Sequence, residues 1–350
     1  MHMADALISP PVGAAMWAVS AATIAYSSAK IRKGLDDHVT PLMGVLGAFL
    51  FAAQMINFSI PATGSSGHLG GGLLLAILLG PHAAFLTLAS VLVVQALFFA
   101  DGGILALGCN IFNIGFIPAF IVYPLVYKQL IGTAQNSTRQ KTAIILSAMI
   151  ALQLGPLCVV LETCLSGISA LPFSTFLLFM QPIHLAIGIV EGIITLAIVS
   201  FVRKARPEIL LDALAARPVD PHPVKKLVLA FLAAAIITGG LVSWFASENP
   251  DGLEWAIAKV TGQEALQGAT GIHTALATLQ EKSALLPDYS IKAKTAAAPT
   301  DPYGRWGTTA SGLLGVLLTL SGITLSGIAL RKTAALSRKP LPSGEYGSGR

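Results

Sequence analysis

Leu69-Gly70-Gly71-Gly72-Leu73-Leu74-Leu75-Ala76-Ile77-Leu78-Leu79-Gly80-Pro81-His82 opens an apolar run that continues to Ala100 and stops at Asp101-Gly102-Gly103. Whether this run is one kinked helix or two decides how often the chain crosses a bilayer and which side each loop faces. Residues 69–80 alone reach only about 18 Å at 1.5 Å per residue, short of a hydrocarbon core of ~30 Å. Charge placement decides the matter. With Gly80-Pro81 as a cytoplasmic turn there are nine spans and an outer N-terminus. Segments 29–41, 80–82, 128–141, 203–226 and 331–350 then lie inside, with 3, 0, 3, 6 and 5 Lys/Arg. The outer loops before residue 247 carry none, and the other 5 of the 22 fall in 247–306. A single helix over 69–99 would flip every later loop and place basic 203–226 outside, against the positive-inside rule. The run is therefore read as two helices, the first short or re-entrant.

Composition agrees with a membrane class. Hydrophobic residues make up 54% of the 350, charged residues 11%, and the mean hydropathy is +0.73, whereas about a quarter of the residues of a soluble domain are charged. The expected fold is an all-α polytopic membrane protein. The other spans cover about 11–28, 42–56, 104–127, 143–161, 173–202, 227–245 and 308–330. A formal charge of +5 then belongs to loops facing a cytoplasm and gives no indication of nucleic acid. Cys109, Cys158 and Cys164 sit at no metal-ligand spacing and form no disulfide framework. No basic region precedes the first apolar run, so a cleaved signal peptide is not expected.

The chain divides near residue 205. Residues 1–205 form a seven-helix body, and 206–226, with Pro207, Pro218, Pro221 and Pro223, read as a cytoplasmic linker. Residues 227–330 form a two-helix transmembrane hairpin carrying a polar, soluble outer segment, 247–306. Residues 331–350 read as a cytoplasmic tail.

Met1-His2 offers three nitrogens in succession: the α-amine, the His2 amide and the His2 imidazole. On one metal they close a five- and then a six-membered ring and tend towards one plane. A fourth nitrogen, from His68 in Ser65-Ser66-Gly67-His68-Leu69, would complete a square-planar N4 set, which suits Ni(II) or Cu(II). A start codon followed by a His codon gives the same dipeptide in proteins that bind nothing; topology weighs against that reading here. Two crossings separate Met1 from loop 57–68, so Met1, His2 and His68 share the outer face. His38, His82 and His222 fall inside, and His273 lies outside in the distal domain. Asn57, Ser66, Asn110 and Asn113 are candidates to orient a ligand imidazole or to bond neighbouring helices. His184 and Glu191 share one face of the seventh span, as a functional or a structural pair. Small-residue stripes, Ala14/Ala18/Ala22 and Gly44/Ala48/Ala52, serve either internal packing or docking of another membrane subunit. No G-x-x-x-x-G-K-[ST] occurs, so any ATPase is another chain.

These residues carry a resemblance. Met1-His2-Met3-Ala4-Asp5, Gln54-Met55-Ile56-Asn57-Phe58, the His68 loop and Ala106-Leu107-Gly108-Cys109-Asn110-Ile111-Phe112-Asn113 resemble the CbiM/NikM family. Its members are the substrate-binding (S) components of energy-coupling-factor (ECF) nickel and cobalt transporters. Residues 227–330, with Pro250-Asp251-Gly252-Leu253-Glu254, resemble the NikN/CbiN accessory subunit of PDGLE type. Ala6 stands where the family usually has Gly, and His82 where an aromatic is common. The resemblance implies a metal held by Met1, His2 and His68, with Ni(II) as transported substrate and Co(II) the alternative. It also implies a transmembrane coupling (T) subunit and a cytoplasmic ABC-type ATPase as partners, in a bacterial cytoplasmic (inner) membrane. The expected function is substrate capture for nickel uptake, without enzymatic activity of its own. The alternatives are a non-transporting metal sensor and an intramembrane enzyme using His184 and Glu191. The enzyme reading requires a water-filled cavity at that pair.

Overall fold

The computed structural model describes residues 2–32, 39–132, 137–215, 224–263, 266, 271–291 and 302–337. Twelve helices are described. The body comprises α1 (Pro10–Arg32), α2 (Val39–Gln54), α3 (Gly72–Leu79), α4 (Pro81–Phe99), α5 (Leu107–Ile131), α6 (Ser137–Ser166) and α7 (Phe173–Ala205). Then come α8 (Pro207–Ala215), α9 (Lys225–Gly240), α10 (Gly252–Thr261), α11 (Gly271–Ser283) and α12 (Pro302–Ser337). Of these, α1, α4, α5, α6, α7 and α12 are long and apolar enough to cross a membrane.

The run after His68 does split in two. Gly80 ends α3 with φ 75° and ψ 165°, a conformation that only glycine adopts without strain, and Pro81 starts α4. Proline suits the first turn of a helix, where its missing N–H has no intrahelical role. The eight residues of α3 rise only about 12 Å, so α3 does not span by itself. It lies buried among α4, α5 and α8. Contact there is close: a Cβ at Gly72 would collide with the Ile114 carbonyl and the Pro118 ring of α5. Along Ile111–Tyr127, α5 is wound with i→i+5 hydrogen bonding around Pro118 and Pro124. Each proline withdraws one donor from the ladder.

The two small-residue stripes have different fates. Gly44, Ala48 and Ala52 are buried against the hairpin, where Ala48 and Ala52 meet Ala235 of α9 and Val316 of α12. Ala14, Ala18 and Ala22 are exposed along α1. The segment read as linker is partly helical. Ile209, Leu210 and Ala213 of α8 are buried, and the Ala213 carbonyl accepts from the Tyr123 hydroxyl at 3.2 Å. Residues 216–223, 292–301 and 338–350 of the linker, outer segment and tail lie outside the described residues.

One element departs from the all-α expectation. Loop 57–68 folds as an antiparallel hairpin, β1 (Phe58–Ile60) with β2 (Ser65–Gly67), paired Phe58↔Gly67, Ser59↔Ser66 and Ile60↔Ser65. Strands of three residues are marginal alone. This hairpin is held from both sides. Beneath it, Ile187 of α7 fills the space a side chain at Gly67 would need. Along its edge, Ser66 forms a parallel bridge with Asp251, its amide donating to the Pro250 carbonyl at 2.8 Å.

Candidate metal centre

The N-terminal residues form a strap threaded under loop 100–106. Met3 is fully buried; its amide donates to Asn110 Oδ1 at 2.8 Å, and its carbonyl accepts from Asn110 Nδ2 at 3.2 Å and from the Gly103 amide at 2.9 Å. Asp5 Oδ1 accepts from the Ala106 amide at 3.0 Å. These bonds fix the main chain on both sides of residue 3 and so place His2 over the end of the bundle.

There His2 meets His68. Their rings are stacked, with centroids 5.0 Å apart and planes 6° from parallel, and both side chains are almost wholly buried. They line one wall of a pocket of about 690 Å³, shared with Gln54, Asn57, Asp101, Asp251 and Tyr289. His68 Nδ1 lies 3.0 Å from the Leu69 carbonyl, a geometry in which Nδ1 carries the proton and Nε2 the lone pair.

Met1 lies outside the described residues. Among those described, no group of three or more His, Cys, Asp or Glu is placed to hold a metal.

The four residues singled out as orienting groups act at one remove from the imidazoles. Asn110 works through Met3. Asn113 Nδ2 donates to Glu162 Oε2 at 2.7 Å and lies 3.8 Å from Met3 Sδ, so it braces the strap. Asn57 lines the pocket, and its carbonyl accepts from the Ser247 amide at 2.7 Å. Ser66 corrects the sequence reading most clearly: its hydroxyl turns to the Asn249 carbonyl at 2.7 Å and docks the second domain instead of an imidazole. His273, read as distant, is buried with Nε2 2.9 Å from the Ile8 carbonyl. His82 sits at the far end of α4, against Tyr26 and Phe120.

His184 and Glu191 do not form an acid–base pair. Glu191 accepts from the amides of Gly70 at 2.7 Å and Gly71 at 3.0 Å, one on each oxygen. His184 Nδ1 meets the Met180 carbonyl at 2.7 Å. The cavity beside His184 is about 10 Å³, room for one water at most and no water-filled chamber. The intramembrane-enzyme reading requires a water-filled cavity at a joined pair, and the described residues provide neither. Glu191 instead holds the turn that presents His68.

Three partners were missed by the sequence reading. Asp101, read only as a span terminator, places Oδ1 2.9 Å from His2 Nδ1. Tyr289 donates its hydroxyl to Asp101 Oδ2 at 2.5 Å. Asp251 Oδ2 lies 3.9 Å from His68 Nε2, beyond hydrogen-bond range but close enough to act through charge. Asp251 also caps α10, accepting from Leu253 and Glu254 amides while Glu254 accepts from its own amide, a capping box. For the two aspartates the available signal was position: acidic residues beside span ends, on the face assigned to His2.

Burial sets the electrostatics. It pushes His68 down to about 3, helped by neighbouring positive charge. Burial opposes ionisation of Asp101, yet His2 and the hydrogen bonds from His2 and Tyr289 outweigh it and hold the carboxyl below its usual range. A folded-state value for His68 below its unfolded value of about 6.5 means stability is present above pH 6.5 and is lost as pH falls towards 3. At pH 5 this one group costs about 2 kcal/mol. Thermal unfolding of detergent-solubilised protein at pH 7.5 and pH 5 should show a drop in Tm that is smaller in His68→Gln.

Residues 2–209 match the family described as cobalt uptake substrate-specific transmembrane region (CbiM), and residues 225–332 match the PDGLE domain. The chain belongs to the CbiM family. A relative in Archaeoglobus fulgidus is 32% identical over 92% of this chain and 96% of its own length. The fused nickel transport protein NikMN of Rhodobacter capsulatus is 30% identical, over 93% of this chain and 97% of that protein. A crystal structure of a transition metal transporter superposes with a TM-score of 0.53 at 31% identity, over 60% of this chain and 96% of the other. In this CbiM chain the His2–His68 pair lies wholly within the first matched region, and Asp251 and Tyr289 come from the second.

Proposed function

We propose that the protein is the substrate-capture component of an ATP-driven ECF-type uptake system for Ni(II), with Co(II) the alternative substrate. One observation carries the reading: two histidines far apart in sequence stack at 5.0 Å inside a pocket at one end of a helical bundle. Membership of the CbiM family and the fused nickel transport relative support it. The donors are the Met1 amine, the His2 amide and imidazole Nδ1, and His68 Nε2. An all-nitrogen planar set favours Ni(II) by geometry, while Cu(II) binds more tightly on the Irving–Williams order, so pocket shape and metal availability share the selection.

The basic residues at segments 29–41, 128–141, 203–226 and 331–350 support an outer N-terminus and a cytoplasmic C-terminus in the inner membrane. The partners are a T subunit and a cytoplasmic ABC-type ATPase. The exposed Ala14/Ala18/Ala22 stripe, with no phosphate-binding loop in the sequence, supports energy coupling by other chains.

The test is metal content of the purified full chain and uptake with T subunit and ATPase co-expressed. One Ni(II) per chain and ATP-dependent uptake are expected. A chain ending near residue 205 keeps the ligands, so it should still bind Ni(II) but fail in uptake. No metal in the full chain would refute the reading, and wild-type uptake by the short chain would refute a transport role for the second domain.

A further inference from the structure

A second cavity, of about 730 Å³, shares no lining residue with the metal pocket. It is a groove between the body and the second domain, walled by α1, α2, α4 and α12. Its lining extends from Leu86 to Phe98 on α4 and from Leu318 to Leu330 on α12, a rise of about 18 Å on each helix. A Cβ at Gly47 of α2 would touch both Thr87 and Ile323, which sets these stretches side by side. From α1 come Ile24, Ser28 and Ile31, one face by helical spacing.

The groove is open because α12 presents small residues to it. Ser321, Gly322, Ser326 and Gly327 line it, and a Cβ at Gly322 would meet nothing within 4 Å. Protein interiors are close-packed, so a space of this size beside helices long and apolar enough to cross a membrane is filled by what surrounds the protein.

Charge and length together say what fills it. The lining carries no charged side chain among the described residues. At the end marked by Ile31 and Leu330, however, both helices turn basic at once. Lys30 and Arg32 of α1 and Arg331 and Lys332 of α12 are all exposed there, and Lys30 Nζ stands 5.5 Å from the Tyr26 ring centroid. A membrane-spanning helix needs ~30 Å of apolar contact, whereas the acyl chains of one leaflet occupy about half of that depth. The groove has the length of the second and a cationic rim at one end only.

The structure assigns this groove to an anionic phospholipid. Its acyl chains lie along α4 and α12, and its phosphate sits among Lys30, Arg32, Arg331 and Lys332. Ser28 and Ser326 line the groove about one turn from those cations, at the depth of the glycerol esters. The lipid touches α1 of the body and α12 of the second domain together, and so ties the two where their helices leave a gap. A cation near the membrane surface favours an anionic over a zwitterionic headgroup by roughly fivefold.

Native mass spectrometry of the full chain tests this, with phosphatidylglycerol or phosphatidylethanolamine of matched acyl chains added in detergent. Wild type should retain one phosphatidylglycerol with a preference of at least about tenfold, and that lipid alone should raise the Tm. The Arg32→Gln/Lys332→Gln double variant should lose the preference and still hold either lipid weakly. Gly322→Leu fills the groove with a better helix former than glycine, and should lose both lipids while remaining folded. Equal retention of the two lipids by wild type, or an unchanged preference in the double variant, overturns the anionic site. Unchanged phosphatidylglycerol occupancy in Gly322→Leu overturns the groove as its place. Loss of a co-purified membrane subunit from Gly322→Leu, with lipid occupancy unchanged, would give the groove to a protein helix instead.

Discussion

His2→Ala and His68→Ala chains should each lose at least about a hundredfold in Ni(II) affinity, a cost of about 2.7 kcal/mol. His2→Ala breaks the six-membered ring and leaves an amine–amide pair that cannot hold the metal in competition with water. His68→Ala removes the fourth nitrogen and the only proposed donor outside the N-terminal dipeptide. The control is His82→Ala. About 27 Å of helix separates the two ends of α4, and His82 meets Ser27, Tyr26 and Phe120, so the affinity of this variant should match wild type. The N-terminus gives a harsher form of the same test. One residue added before Met1, or acetylation of its amine, leaves every side chain in place and removes the five-then-six ring sequence ending on His2. With a residue added, His at the third position could chelate metal without His68, so uptake must be measured beside binding. Uptake should be lost in both cases. Full uptake with a blocked amine would exclude this donor set, whatever the side-chain variants did.

Glu191→Leu should be the most damaging single substitution away from the ligands. Both oxygens of this buried carboxylate accept main-chain amides, from Gly70 and Gly71. A leucine leaves two buried N–H groups without partners, at about 1–3 kcal/mol each, in a setting where water cannot replace them. The turn concerned begins two residues after His68, so stability and Ni(II) affinity should fall together. Glu191→Gln keeps one acceptor oxygen and should fall between. A Glu191→Leu chain that melts with the wild type would show that the glycine turn is held by something else.

The helices were legible because their signals are local. Gly80-Pro81 marks a break, and the charge of the following loops says which way the chain turns. His2 and His68 could be placed at one end by counting crossings alone. The hairpin at 58–67 could not be foreseen: Phe58-Ser59-Ile60 and Ser65-Ser66-Gly67 have no strong strand pattern, and their pairing is supported by Ile187 beneath and Pro250 alongside. Ser66 looked like a group for orienting a ligand because it is two residues from His68. In an extended strand, however, such neighbours differ in their main-chain surroundings, and here a carbonyl of the second domain claims the hydroxyl. Asp101 and Tyr289 lie 188 residues apart, and nothing short of the packing of Phe99 against the Tyr289 ring brings them together. Likewise the stripes on α1 and α2 read alike, and only the position of α9 and α12 makes one an interior seam and leaves the other bare.

The bridge between Ser66 and Pro250-Asp251 has a consequence for how such proteins can be divided. Its central bond joins two peptide groups, the part of a chain that side-chain drift leaves untouched. A join of this kind does not require its two faces to co-evolve residue by residue, so body and accessory module can travel on one polypeptide or on two. Fusion then adds no new contact at the seam. It keeps one module beside the other and fixes their ratio at one to one.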